Sequence, residues 1–594
     1  MAVPPATTLL PDFWRGYARR YVWVYGLGLL MLLATNGLTI AIPRMIKEVF
    51  DALADGGRLD EVHVFAGLIS AAAVVVIVVR TLSRVLFFNP GRTIEFRLRN
   101  DMLARLLAMS GNWFRQQSTG DLVSRAANDA TYVRALVGFS LLMLLNLIMA
   151  AGFTLWQMFA TNVRLTVYCV LPLAASLWLM RFGISRLFRA MRESQEELGR
   201  LSEHILEALG GVAVIQGAVA EPAFQRRFDV HNDRYTQINL EVTALRCFLL
   251  PLAAMVGNLC IFLLLYVGGQ MAVEGEMTVG DLAAYASYVT MLAGSLTAAG
   301  WLINGLQRGY VGLQRCWEVV QLQGDRATGA VPLPPSDHGM GLQISDLSYR
   351  YPDADPAAAA ALSSISFTVE PGQILGIYGP VGSGKTTLMD LLTGLLPPPP
   401  GAIELDGVDV SAIDSASLWD AVAVAPQQAF LFSRSLRENV AFIDRADAID
   451  DDRVWRAVDK ALLGDEVRRM ADGLDTVVGE RGLNLSGGQR QRAQLARAMY
   501  RSYRLLLLDD VLSAVDHDTE ERLLATIGAE IDRERSRHTA VIVSSRLSAL
   551  VGADEILVLD GGRIVERGSH VELVGAGGMY AKVWEVQRTR REAA

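Results

Sequence analysis

The sequence predicts a membrane protein of two unlike parts, an all-α transmembrane domain of six helices followed by an α/β domain built around a phosphate-binding loop. Three observations predict it. The chain of 594 residues is 51% hydrophobic and 20% charged, with a mean hydropathy of +0.28, and its first half carries long uncharged runs of bilayer-spanning length. The composition then changes, beyond a polar, proline-rich stretch, to that of a soluble α/β domain. That second half contains a glycine-rich loop between an apolar strand and a helical pattern. A disordered chain, a collagen and a secreted disulfide scaffold are excluded, and a net charge of −8 gives no argument for a nucleic-acid partner.

Six apolar runs, each near the ~20 residues that cross a bilayer core, lie at 24–44, 63–88, 135–159, 163–182, 247–269 and 281–304. Loop charge orients them. Segment 47–62 is mostly acidic and 271–281 has neither Lys nor Arg, whereas the connections after the second and fourth runs carry Arg92, Arg97, Arg99, Arg105, Arg115 and Arg125, then Arg181 through Arg234. Positive charge stays inside, so both long connections and both termini are expected in the cytoplasm. Those connections are patterned as helices, broken near Ser110-Gly111, Ser118-Thr119-Gly120 and Gly210-Gly211. They predict levers that run below the membrane and turn at their tips, and the pattern reads evenly as solvated helical hairpins or as segments that contact the C-terminal domain. The expected division is a transmembrane domain over 1–320, a linker over 321–340 and an α/β P-loop nucleotide-binding domain over 341–594. Cys169, Cys247, Cys260 and Cys316 show no metal-ligand spacing and read as reduced thiols. Candidate cavity-lining groups are Asn36, Asn146, Gln157, Asn258 and Asn304, with Trp156, Trp178 and Trp301, each more often a packing contact or an interfacial anchor.

Strands are expected at 342–349 and 365–377, the second running into Gly379, Pro380, Val381, Gly382, Ser383, Gly384, Lys385 and Thr386. Glycines let backbone N–H groups wrap phosphates, and the helix that follows adds its positive end. Lys385 reaches the β- and γ-phosphates, and the Thr386 hydroxyl is placed to ligate Mg²⁺. The apolar strand Leu505–Leu508 ends in Asp509, which would hold the metal's coordination shell; alone it would as readily cap a helix. Leu485, Ser486, Gly487, Gly488 and Gln489 open another helix, a second anion-binding N-terminus.

This last run resembles the signature motif of ATP-binding-cassette (ABC) transporters, and the family's other motifs follow in order. The resemblance implies that Tyr351 stacks on adenine, that Thr387 belongs with the phosphate loop, and that Gln427, in Ala425-Pro426-Gln427-Gln428, senses Mg²⁺ and the attacking water. Val477–Gly482 resembles the exporter segment that meets the membrane domain's levers, and Ser513 with Asp516 the loop crossing between two cassettes. The N-terminal half resembles the six-helix (type IV) exporter fold: Ser118–Arg125 with Asp129 is similar to its first coupling region and 206–227 to its second. ATP and Mg²⁺ are the implied cofactors.

Two positions depart from the family. The glutamate expected after Asp509, the base that orients water, is Asp510, and the expected histidine is Ser545. General-base assistance is worth roughly 10²–10⁴-fold, so this site is expected to bind ATP and turn it over slowly. Cassettes of the family pair head to tail, so the intact signature would complete a partner's site. The sequence therefore predicts one half of a heterodimeric exporter in a bacterial inner membrane, moving a hydrophobic or amphipathic small molecule, lipid or peptide. The alternatives are an importer of the same fold for a siderophore-like ligand and a mainly regulatory ATP-binding subunit.

Overall fold

The computed structural model describes residues 6–592 apart from 55–58, 325–328, 353, 356–358, 443, 445–447, 480, 481, 483, 513, 514 and 534–537, and their side chains apart from those of 6–8, 59, 61, 177, 179, 180, 250, 253, 254, 296–301, 530, 532, 533 and 590–592. Trp301 as a cavity candidate, Glu480 and Arg481 of the lever-contacting segment, and Ser513 of the crossing loop lie outside that description. The chain forms two compact units, Met1–Arg105 with Thr119–Leu322, and Leu106–Ser118 with Gln323–Ala594.

The first unit is helical. Val22–Ala54, Leu59–Leu107, Val163–Gly210, Glu221–Leu263 and Val279–Val320 are its long helices, and Thr119–Thr161 runs on as another through two π-turns. At ~1.5 Å per residue a helix of 48 residues is ~72 Å long, more than twice the ~30 Å hydrocarbon core. Among the described residues five helices are long and apolar enough to cross a membrane; the sixth expected span, 281–304, falls within Val279–Val320, in the stretch where 296–301 lack described side chains. Glycines let the third and last long helices approach. A Cβ on Gly312 would stand 3.0 Å from the Asp129 carbonyl, and one on Gly309 would stand 2.6 Å from the Leu136 Cβ.

Polar groups inside this unit bind helices to one another. Asn36 Nδ2 donates to Asn146 Oδ1 at 3.1 Å and to Leu32 O at 2.9 Å, which makes a packing contact between helices of two cavity candidates. The fully buried Tyr285 donates to the carbonyls at the turn between two helices, Met158 O at 2.6 Å and Asn162 O at 2.7 Å, and lies 2.9 Å from Thr166 Oγ1. Lys47 pairs with Asp281 at 2.8 Å while Asp51 accepts from Thr278 and the Gly280 N–H, fastening the end of the first long helix to the start of the last. Cys169, Cys260 and Cys316 are buried free thiols, and Cys247 is an exposed one.

The second unit holds two sheets. An antiparallel sheet takes β2 (Leu362–Val369), β1 (Leu342–Tyr349), β4 (Ile403–Leu405) and β5 (Val408–Asp409) in that order. The larger sheet runs β10 (Arg563–Gly568), β9 (Glu555–Asp560), β3 (Ile374–Tyr378), β8 (Thr539–Val543), β7 (Leu505–Asp509) and β6 (Val422–Ala425). All its pairings are parallel except β10 with β9, and every residue of β7 and β8 is buried, as strands covered on both faces must be. The single strand expected at 365–377 is two. Glu370-Pro371-Gly372-Gln373 turns the chain, with Gly372 at φ +86° and the Gln373 N–H donating to Glu370 O, and sends β2 and β3 to different sheets. The later part of the 321–340 stretch is fastened rather than free: Val331 pairs with Ile413, and Arg504 donates to His338 O at 2.8 Å. Leu106–Ser118 also belongs to this unit, its short helix Gly111–Arg115 capped by Ser110.

Candidate nucleotide site

The site gathers at the carboxyl ends of β3, β7 and β8, where a parallel sheet leaves its crevice. From Tyr378 the chain enters a loop that only its glycines permit. A Cβ on Gly379 would lie 2.4 Å from Leu559 O, and one on Gly384 would lie 2.6 Å from Ala361 O, with Gly384 at φ +97°. Gly384 then caps the helix Lys385–Leu392. Pro380 and Gly382 lie along the loop, Val381 stands exposed at its tip, and Ser383 is buried at its base. The result is a row of backbone N–H groups at a helix N-terminus, suited to phosphate. Lys385 Nζ lies across the loop, donating to Gly379 O at 2.7 Å and Pro380 O at 2.8 Å. Burial lowers its pKa, against the opposing charges of Asp510 and Asp509.

Thr386 Oγ1 donates to Asp509 Oδ2 at 3.3 Å. Burial is the main reason Asp509 is pushed up to about 6, with Asp510 and Asp390 adding repulsion while Thr386 and Lys385 oppose the shift. A buried carboxylate beside a hydroxyl, short of positive charge, fits Mg²⁺. The ion needs only one or two protein oxygens when phosphates and waters complete its octahedron, in keeping with the lack of a larger His, Cys and carboxylate cluster among the described residues. Tyr351 Oη lies 3.0 Å from Thr387 Oγ1, and the Tyr351 ring meets that of Tyr349 edge-on with centroids 5.4 Å apart. This holds the half-buried phenol beside the first turn of the phosphate-loop helix. Gln427 is exposed in the loop after β6, the strand next to β7.

Asp510 follows β7 with φ +47°, and its carboxylate accepts from the Ser545 N–H at 3.1 Å and the Ser545 hydroxyl at 3.0 Å. The two departures named from the sequence are thus one hydrogen-bonded pair. The signature residues make their bonds elsewhere. Leu485 is buried; Ser486 and Gln489 close a capping box at the start of Gly487–Tyr500, where Gly488 follows Gly487 in the first turn; and Gln489 donates to Glu466 at 2.7 Å. Asp516 caps the helix His517–Arg533 by accepting the Thr519 N–H, which lowers its pKa.

Sequence reading missed several supporting residues. Gln587 accepts the Leu547 N–H and donates to Ser545 O; the buried Glu520 accepts from Arg546 and Ser548. In the first unit Asp121 and Arg125 do not stand alone. Arg125 pairs with Asp121 and with Glu318, each at 2.7 Å, while Arg315 pairs with Asp121 and, at 2.9 Å, with Asp129. Arg315 and Glu318 lie 190 or more residues along the chain, and no local pattern joins such pairs.

Known proteins agree with this architecture. Residues 25–296 match the model of the ABC transporter transmembrane region, and 362–513 match that of the ABC transporter cassette. The chain is 32% identical over 578 residues to a probable multidrug resistance ABC transporter ATP-binding/permease protein of Bacillus subtilis, covering 97% of this chain and 96% of that one. It is 29% identical over 582 residues to an ATP-dependent lipid A-core flippase of Thiobacillus denitrificans, covering 96% and 97%. A bacterial Atm1-family ABC exporter with ATP bound superposes with a TM-score of 0.77 at 25% identity, covering 96% of this chain and 98% of that one. With a helical transmembrane region, a phosphate loop and a cassette in one chain, the protein belongs to the ABC transporter family and has the exporter-type fold.

Proposed function

We propose that this chain is one subunit of a heterodimeric ATP-driven exporter of a bacterial inner membrane, with both termini cytoplasmic and with its own ATP site degenerate. The observation that carries the reading is the pair Asp510–Ser545, where the family places a glutamate and a histidine. Tyr351, Gly379–Thr387 and Lys385 bind ATP. Thr386 and Asp509, with Gln427, would hold Mg²⁺, which would supply positive charge at the phosphates. Asp510 is one methylene too short for the glutamate's task, and Ser545 has neither the reach nor the charge of an imidazole. Nucleotide on this loop is then held longer than it is cleaved. Leu485–Gln489 completes the partner's site, and Asp516 belongs to the crossing loop between the cassettes. Closure of the pair is transmitted by 105–125 and 206–227, and it shifts the membrane domain only by its differential affinity for the two states.

The multidrug and lipid A-core relatives support a hydrophobic or amphipathic cargo. Co-expression with a neighbouring half-transporter, one chain tagged, tests the assembly. An equimolar two-chain complex that moves amphipathic dye in vesicles only with ATP is the expected result; a tagged chain that purifies as an active homodimer contradicts it.

A further inference from the structure

Asp510 is held through both its backbone and its carboxylate. Its backbone N–H donates to Val543 O at 2.8 Å, which stitches residue 510 to the end of β8. Its Oδ1 accepts both the Ser545 N–H at 3.1 Å and the Ser545 hydroxyl at 3.0 Å, with that hydroxyl oxygen 3.4 Å from Oδ2. Ser545 is itself anchored, because its carbonyl accepts from Gln587 Nε2 at 3.1 Å and Gln587 Oε1 accepts the Leu547 N–H at 2.9 Å. Gln587 comes from the C-terminal helix Met579–Glu592, so the support is not local in sequence.

The geometry points to Ser545 as a latch, a positioning residue that holds the Asp510 carboxylate against the end of β8 and keeps it from acting on water. The inference rests on the degenerate-site reading and deepens it. Slow turnover then comes from a carboxylate that is tied down as well as short, and the two substitutions act as one unit. An oxygen accepting two donors from one residue is turned toward that residue, and a charge-assisted bond biases a side-chain orientation about tenfold or more. The Ser545 hydroxyl sits one carbon from its own backbone and donates beside the Ser545 N–H, so the replacement matters for Asp510 as well as for the phosphate.

The test is single-turnover cleavage by the full chain in lipid nanodiscs, read as conversion of photo-crosslinked 8-azido-ATP on this chain, so that only nucleotide on its own loop is counted. Ser545→Ala keeps the backbone donor and removes the hydroxyl. It is expected to raise the cleavage rate about tenfold with the half-saturating ATP concentration changed less than about twofold. Ser545→Thr, which keeps a hydroxyl, is expected to stay slow, and Ser545→Ala with Asp510→Asn is expected to lose the gain. A slow unmodified chain that Ser545→Ala does not speed overturns the latch and leaves the degenerate reading standing. A gain that persists with Asp510→Asn also overturns it. An unmodified chain that already cleaves briskly overturns the degenerate reading itself. Equal photolabelling of all variants shows that the site has stayed folded.

Discussion

At the phosphate site, burial raises the carboxyl pKa of Asp509. Its folded pKa of about 6 lies above that of a free carboxylate, so the apo fold binds more protons than the unfolded chain between about 4 and 6. That contribution is fully present below pH ~4 and is lost as pH rises through 6, leaving a buried charge at neutral pH. Asp509→Asn is therefore expected to stabilise the nucleotide-free cassette at pH 7 by about 1–3 kcal/mol, to raise its thermal midpoint by a few degrees, and to abolish its Mg²⁺ response. Melting at pH 7 and pH 4.5 checks the sign, since the advantage should shrink at the lower pH. Lys385→Ala should weaken ATP binding at least about 100-fold, because it removes the ammonium laid across the loop; nucleotide titration measures it. Both residues were legible beforehand, because a phosphate loop and a buried strand ending in aspartate carry their chemistry in local spacing. That Asp510 and Ser545 are bonded was not legible. They lie 35 residues apart, and only the alignment of β7 and β8 brings them together.

Capping and ion pairing decide how these elements hold their ends. Ser486 and Gln489 satisfy the first turn of Gly487–Tyr500 with a capping box. Ser486→Ala should cost about 1 kcal/mol of local stability, seen as faster amide exchange in that turn. In the first unit, Arg315→Ala should destabilise by about 2 kcal/mol, because it takes the ion-pair partner from the buried Asp129; proteolysis of the intact chain in detergent reads this out. The resemblance of Ser118–Arg125 to an exporter segment implied a coupling region; the ion pairs of Asp121 and Arg125 with Arg315 and Glu318 brace the third long helix against the last. The extra turn that splits 365–377 was also written in the sequence, as Pro371-Gly372. An apolar run on either side of it masked the break, and only the pairing of β2 with β1 and of β3 with β8 and β9 separates the two strands.

Across the whole chain, the change from a long-helix unit to a two-sheet cassette followed from composition and from one loop motif. The helix lengths did not. Apolar runs of ~20 residues mark what a bilayer must cover, while the helices continue through charged sequence to more than twice that length. Of the polar cavity candidates, Asn36 and Asn146 make the helix-packing contact that such residues more often make. The account's central claim is that nucleotide on this chain's own loop is bound well and cleaved poorly, so that function needs a partner. Its most direct test is ATP turnover of the purified chain alone and with a neighbouring half-transporter, each with and without Asp510→Glu plus Ser545→His. The account predicts a nearly silent chain, an active pair, and turnover of the chain alone raised about 100-fold by the double replacement. Brisk hydrolysis by the unmodified chain alone would contradict it, making Asp510 and Ser545 working substitutes for the residues they replace.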